Sequence, residues 1–492
     1  MKKVILLLMM ALVIGACDDG FDELNVNPIR PPQIAAANKL TAVQKFISSE
    51  RYDNWRAGLI YQSTMMQHFA TTAGYWDGDK YTWNRGYASS LIDRYYGNAI
   101  KTIEDLKFQL DNEEAPEEMK AIVRILRVFA FSRLTDLYGD VPYSEAGKAV
   151  IEGIFLPKYD QQSEIYPDML KELEESAAAL GSGTSGFGAA DVMYGGDQAK
   201  WKKLANSLML RLGFRLIKVD PAASQAWVTK AIAGGVMTSN DDIFYLQHDA
   251  NNRNGISEVF AADGNPRMSK TFIDFFQNGN DPRLPILAAR RGDGSTDPAD
   301  LIGFPNGLNN AMLLEDTGEE NLDNYAEPNR AILAAFEAPM VFQTYAEVEL
   351  MLAEANVRWG IGVDAATHYN NGVTAAMKQL TLWSADAAIE DGAIATYLVN
   401  NPYDAANALE QINTQYWAAT FLNEYESFAN WRRTGFPVLV PTNFPGNETG
   451  GTIPRRLTYN QNESAVNAAN FEAALSNQGP DILTTRVWWD VQ

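Results

Sequence analysis

Ala121-Ile122-Val123-Arg124-Ile125-Leu126-Arg127-Val128-Phe129-Ala130-Phe131-Ser132-Arg133-Leu134-Thr135-Asp136-Leu137 places apolar side chains around most of a helical circumference, and the pattern stops at Gly139. A helix that is hydrophobic on nearly every side is a buried one. Outward from it the same period returns with capping signals. Glu164 to Leu180, with Ser163 as the expected N-cap, puts Ile165, Met169, Leu173 and Leu180 on one face and ends at Gly181. Trp201 to Val219 stops before Pro221. Thr344-Tyr345-Ala346-Glu347 fits a capping box that opens a helix to Trp359, with Gly360 as its stop. Asp364 can cap the next helix through Leu380, and Leu409 to Thr434 reads as one long helix closed by Gly435 and Pro437. Helix pairs with short connections predict a mainly α fold, a helical-hairpin scaffold like tetratricopeptide repeats, although no repeat consensus of about 34 residues aligns through the chain.

Between the helices lie long polar or Gly-rich stretches at Gly181–Gly196, Gln247–Met268, Gly292–Pro328 and Pro441–Gln478. Structureless loops of that length are uncommon unless they have a function. Strand-like runs such as Pro437-Val438-Leu439-Val440 are short and scattered. The expected organisation is therefore one large helical scaffold with loop insertions, a single domain spanning residues 34–492.

The chain has 492 residues, 40 Lys+Arg against 62 Asp+Glu, and a net charge of −22. With no Lys/Arg-dense run against that background, nucleic acid is excluded as a partner. A hydrophobic content of 46% is enough for a sizeable core. The single cysteine, Cys17, excludes a disulfide framework and any Cys-cluster metal site. Met1-Lys2-Lys3, the apolar run Val4 to Ile14 and the small pair Gly15-Ala16 before Cys17 have the layout of a signal peptide over residues 1–16, too short to span a bilayer. Ile14-Gly15-Ala16-Cys17 resembles the bacterial lipobox, which makes Cys17 the expected lipidation site and first mature residue. Cleavage there would remove Lys2 and Lys3 and take the net charge to −24. Asp18-Asp19-Gly20-Phe21-Asp22-Glu23 then reads as part of an acidic tether over residues 17–33.

Chemistry-bearing motifs are few. Gly181-Ser182-Gly183-Thr184-Ser185-Gly186 spells G-x-G-x-x-G but follows a helix and runs into more glycine, which is a linker context rather than a dinucleotide site. His68, His248 and His368 stand far apart, outside any metal-ligand or triad spacing. No catalytic residue, metal site or cofactor is therefore expected, although two of the many acids could face each other as glycosidase carboxylates. Asn430-Trp431-Arg432-Arg433-Thr434-Gly435 reads as a helix end whose arginines complement the dipole. Val487-Trp488-Trp489-Asp490 reads as a tail docked on the core.

Aromatic residues concentrate between Tyr75 and Tyr96, and the core of that run is Tyr75-Trp76-Asp77-Gly78-Asp79-Lys80-Tyr81-Thr82-Trp83-Asn84-Arg85-Gly86-Tyr87. Sugars lay apolar C–H faces on such rings and pair their hydroxyls with Asp, Asn and Arg. Tyr75, Trp76, Asp77, Tyr81, Trp83 and Asn84 are the expected ligand surface; the competing expectation is that these rings pack beneath neighbouring helices.

Several segments together resemble the SusD/RagB family of nutrient-binding outer-membrane lipoproteins, in particular its SusD-like branch. They are the lipobox with Asp18-Asp19; Phe21 to Pro28; Arg133-Leu134-Thr135-Asp136-Leu137-Tyr138-Gly139-Asp140-Val141-Pro142-Tyr143-Ser144-Glu145-Ala146; Asn280 to Leu284; Leu350 to Ala355; Asn430 to Gly435; Pro454 to Leu457; and Trp488 to Asp490. The resemblance implies a mostly helical SusD-like α/α fold, with tetratricopeptide-like helix pairs supporting a loop-rich, less regular half. It also implies a lipid anchor on Cys17 in the outer leaflet of the outer membrane, a role as lid on a TonB-dependent SusC-like transporter, and capture of oligosaccharide or another nutrient without bond chemistry. The matched motifs resemble scaffold elements, so no ligand residue transfers with them. A surface glycoside hydrolase and a structural or adhesion lipoprotein are the alternative readings.

Overall fold

The computed structural model describes residues 34–491; the signal peptide, Cys17 and the acidic tether lie outside the described residues. The main helices are α1 Ala36–Ser48, α2 Lys101–Asn112, α3 Glu117–Tyr138, α4 Gln162–Ala179, α5 Gln198–Arg215, α6 Pro221–Gly234, α7 Gly255–Ala262, α8 Lys270–Asn278, α9 Tyr345–Trp359, α10 Ala365–Lys378, α11 Asp391–Asn400, α12 Ala408–Ala419, α13 Glu424–Thr434 and α14 Ala468–Gln478. Successive helices pack on one another from α2 through α6, and a second run joins α9 to α10, α9 to α12 and α12 to α13. Three short antiparallel ladders accompany them: β1 Phe69–Ala70 with β3 Arg267–Met268, β2 Phe244–Gln247 with β6 Pro339–Gln343, and β4 Ala288–Arg290 with β5 Ala326–Pro328. The fold is mainly α, a tetratricopeptide-like scaffold, as the helical periods predict.

Local chemistry sets the helix ends. Asp197 accepts from the Ala199 and Lys200 amides at the start of α5, and Asp220 caps α6 with Pro221 in its first turn. The capping box at Thr344 and Glu347 opens α9, and Gly360 ends it in the left-handed region. Two expectations change. Ser163 is not a cap; α4 begins two residues earlier than expected, at Gln162, and its Gln161 N-cap makes no side-chain bond. The expected helix Leu409 to Thr434 is two helices, α12 and α13, because Leu422 turns to φ 68° and donates its amide to the Glu424 carboxylate.

α3 is buried along almost all of its length beyond Ala121, as its all-round apolar pattern requires. What locks it is polar. Asp136 accepts from Trp489 Nε1 at 2.9 Å and from the Tyr166 hydroxyl, which docks the C-terminal Trp-Trp-Asp segment onto the core. Asp140 accepts from the Gln162 amide, and Asp160 gathers the Tyr143 and Ser144 amides. Between the helices runs a seam of buried ion pairs. Arg215 bonds Glu426 at 2.7 Å and Asp136 at 3.3 Å, and Arg211 bonds Glu347 at 2.6 Å. Arg433 grips Glu354 through both terminal nitrogens at 2.6 and 2.8 Å, so its charge is spent on α9 rather than on the end of its own helix. Burial would push Glu354 up, but Arg433 and Arg358 hold its carboxyl down to about 2. Four of the segments matched above, Arg133 to Ala146, Leu350 to Ala355, Asn430 to Gly435 and Trp488 to Asp490, are thus joints of the scaffold.

Candidate aromatic binding platform

A capping box between Glu50 and Asp53 starts a short helix at Arg51, which widens into the π-helix Asn54–Ser63. Such widened turns recur at functional sites. Tyr52 in the short helix and Trp55 and Arg56 in the π-helix come toward the surface, while Leu59, Ile60 and Tyr61 stay in the core. The loop from Tyr75 to Tyr87 lies against it. Trp55 meets the Tyr75 ring edge-on at 5.8 Å, and its other ring neighbours are Tyr87 at 6.4 Å and Tyr52 at 6.2 Å. Tyr52 is 52% exposed and Tyr75 37%, with Trp55 and Tyr87 half-buried. The four rings form a continuous aromatic platform.

Two devices hold the loop in place. Gly78 sits flush on the π-helix: a Cβ there would fall 2.3 Å from the Ile60 carbonyl oxygen and from Thr64 Oγ1. Lys80 is buried and caps the loop from inside, donating to the Thr71 and Trp76 carbonyls at 2.8 and 3.0 Å and pairing with Asp79. Behind the platform Asp263, just past α7, is a shared acceptor. It takes bonds from the Tyr75 hydroxyl, Trp76 Nε1 and Asn265 Nδ2. Burial and then the Asp263 charge push the Tyr75 hydroxyl up to about 12, so it stays protonated and donates.

The expected ligand residues therefore separate. Tyr75 stands on the platform. Trp76 and Tyr81 are buried; Tyr81 occupies a left-handed turn, and its hydroxyl accepts from the Thr442 amide. Asp77 is raised by its burial, accepts from Thr82 Oγ1, and acts within the loop. Trp83 is half-buried, turns its indole N–H to Thr458 Oγ1 at 2.7 Å, and lies under the Arg85 guanidinium at 4.0 Å. Asn84 is exposed and caps the short helix Arg85–Ala88. The sequence reading missed Tyr52 and Trp55, which belong to helical sequence, and Asp263 and Asn265, which come from a distant loop.

Two open clefts lie elsewhere. One of about 670 Å³ is lined by Tyr96, Phe155, Leu156, Tyr159, Tyr459 and Val466, and one of about 530 Å³ by Phe275, Tyr369, Tyr397, Asn401 and Gln411 among others. Among the described residues no group of three His, Cys, Asp or Glu could hold a metal ion. Nor is any helix of the described residues long and apolar enough to cross a membrane.

The geometry can be set beside known proteins. A SusD-like family model, described as starch-binding and associating with the outer membrane, matches residues 28–460. The solved structure of a chitin-binding protein is 33% identical, covers 93% of this chain and all of its own, and superposes with a TM-score of 0.84. A SusD homologue from Bacteroides uniformis is 24% identical over 94% of this chain and all of its own, with a TM-score of 0.79. A chitin-binding SusD homologue from Flavobacterium johnsoniae is also 24% identical, over 93% of this chain and 98% of its own, with a TM-score of 0.77. No curated protein sequence matches. With a family model spanning nearly the whole described chain and a 33% identical relative of the same shape, this chain belongs to the SusD-like family.

Proposed function

We propose that the protein binds oligosaccharide on the Tyr52, Trp55, Tyr75 and Tyr87 platform and passes it to a TonB-dependent SusC-like transporter, with lipid on Cys17 holding it at the outer membrane. The observation that carries this reading is the platform: four adjoining rings, two of them openly exposed, backed by the polar Asp263 and Asn265 cluster. Rings of this kind take the C–H faces of pyranoses, and neighbouring polar groups fix their orientation. Trp83 and Asn84 border the platform as further ligand contacts, whereas Trp76, Asp77 and Tyr81 keep the loop in shape. The 33% identical chitin-binding relative makes β-1,4-linked N-acetylglucosamine oligomers the leading ligand. The protein binds and does not cleave.

Calorimetry of residues 18–492 with N-acetylglucosamine, glucose and maltose oligomers tests the site. Trp55→Ala should weaken the best ligand about tenfold, the worth of one stacked ring. Unchanged binding in both Trp55→Ala and Tyr75→Ala would remove the platform from the account. New reducing ends released from any polysaccharide would point to a hydrolase instead, and purification without a barrel transporter from the native membrane would remove the partner.

A further inference from the structure

Arg51 and Arg56 flank Trp55, and their environment differs from that of the carboxylate-paired arginines Arg211, Arg215, Arg283 and Arg433 of the scaffold. The Arg56 guanidinium lies between two rings, 5.2 Å from the centre of Tyr52 and 5.2 Å from that of Tyr87, while Arg51 lies 5.5 Å from Tyr52. Neither has a carboxylate within ion-pair distance among the described residues, although Asp53 and Glu50 are close in sequence and both bond Arg94. The Nε–H groups of Arg51 and Arg56 and the Nε1–H of Trp55 are buried and have no acceptor. Their terminal nitrogens make no hydrogen bond to any described residue. What one short segment presents is thus the terminal nitrogens of two half-buried guanidiniums, and the acceptor nearest in role, Asp263, already serves Tyr75, Trp76 and Asn265.

A donor-rich patch selects by what it lacks. A plain glucan brings hydroxyls, each both donor and acceptor, and gains little from it. An amino sugar brings an ammonium, which two guanidiniums repel. An acetamido group brings a carbonyl oxygen, a strong neutral acceptor, and its methyl can lie on a ring. The chain as a whole carries a net charge of −22, which disfavours polyanionic glycans at long range. We infer that Arg51 and Arg56 read the acetamido carbonyl of an N-acetylated hexosamine, so that the platform distinguishes acetylated from deacetylated and unsubstituted β-1,4 glycans. The inference rests on the platform being the oligosaccharide site.

The test is calorimetry of residues 18–492 against three hexamers: β-1,4-linked N-acetylglucosamine, glucosamine and glucose, together with a uronic acid oligomer. The wild type should prefer the N-acetylated hexamer over the glucose hexamer by about tenfold or more, the worth of a hydrogen bond to a charged donor, and should bind the glucosamine hexamer worst. In Arg51→Gln/Arg56→Gln the ratio of N-acetylated to glucose hexamer should fall to about one, and rejection of the glucosamine hexamer should relax. Arg56→Lys, which keeps the charge but loses the planar donors, should lose part of the ratio while still rejecting the ammonium. Melting curves establish that each variant is folded. An unchanged ratio in the glutamine variant overturns the inference, as does tighter, salt-sensitive binding of the uronic acid oligomer, which would make carboxylate the preferred acceptor. Absence of binding to every hexamer by the wild type would instead remove the platform reading itself.

Discussion

Four scaffold arginines and two platform arginines live by opposite rules. In the helical scaffold Arg211, Arg215, Arg283 and Arg433 are fully buried or nearly so, and each is held by a carboxylate at 2.6 or 2.7 Å. At the platform Arg51 and Arg56 lie on tyrosine faces with no carboxylate partner among the described residues. A paired, desolvated arginine fixes the register of the helices around it and has nothing left to offer a ligand. An unpaired one, stacked on a ring near the surface, contributes little to the fold and keeps its terminal nitrogens available. The contrast separates residues that build the frame from residues that can recognise something.

The most forceful way to break that contrast is to strip one scaffold arginine of its partner. Glu354→Ala leaves Arg433 buried and uncompensated, and should cost about 3–5 kcal/mol in urea unfolding. Arg51→Gln/Arg56→Gln should stay within about 0.5 kcal/mol of wild type in the same assay. The next test uses pH. Glu354 lies below its ordinary value, at about 2, so its contribution is present above the unfolded carboxylate pKa and is lost as pH falls toward 2. Asp53, beneath the platform, has the opposite sign. Burial raises it to about 6 against the pull of Arg94, so the native state binds the extra proton, and stability falls as pH rises from about 4 to 6, by at most about 3 kcal/mol. Asp53→Asn should flatten that slope and leave the acid limb set by Glu354; an unchanged slope would show that Asp53 titrates normally.

A smaller effect is expected at the seat of the loop. Gly78→Ala forces a methyl against the Ile60 and Tyr61 carbonyls and should cost about 1–3 kcal/mol, with oligosaccharide binding lost as the loop lifts. Wild-type stability and affinity in this variant would mean that the loop is not seated as described. The mildest change is Tyr75→Phe. It removes the hydroxyl shared by Asp263 and Asn265 but keeps the ring, so affinity should fall by only a few-fold, consistent with about 0.5–1.5 kcal/mol for one hydrogen bond.

Much of the frame could be read from residues in order, because helix period and caps are local. Thr344 with Glu347, Asp364 and Gly360 mark their helix ends as expected, and the apolar circumference of α3 announces its burial. The break between α12 and α13 could not be read, since no glycine or proline marks it and Leu422 is held in its turn by Glu424. The site was half legible. Aromatic density drew attention to the Tyr75 to Tyr87 loop, yet composition does not say which way a ring faces, and Trp76 faces inward because Asp263, 187 residues away, takes its indole N–H. Trp55 was hidden for a related reason: in Asn54-Trp55-Arg56-Ala57-Gly58-Leu59-Ile60 it looks like one more apolar helix residue until Tyr75 and Tyr87 arrive beside it.

The bond from Trp489 to Asp136 also sets an order of events in assembly. It joins residues 353 positions apart, and Tyr459 reaches the Tyr138 carbonyl across 321. While the chain is being made, α3 can coil and collapse, but its far end waits for partners more than 300 residues downstream. Closing loops of that span is slow, and until it happens a nearly all-apolar helix lies incompletely covered. The newly made protein is therefore most exposed to aggregation in the interval before the segment carrying Tyr459 and Trp489 folds back. A chaperone that shields α3 during that interval should raise the yield of folded protein more than one that acts on the finished surface.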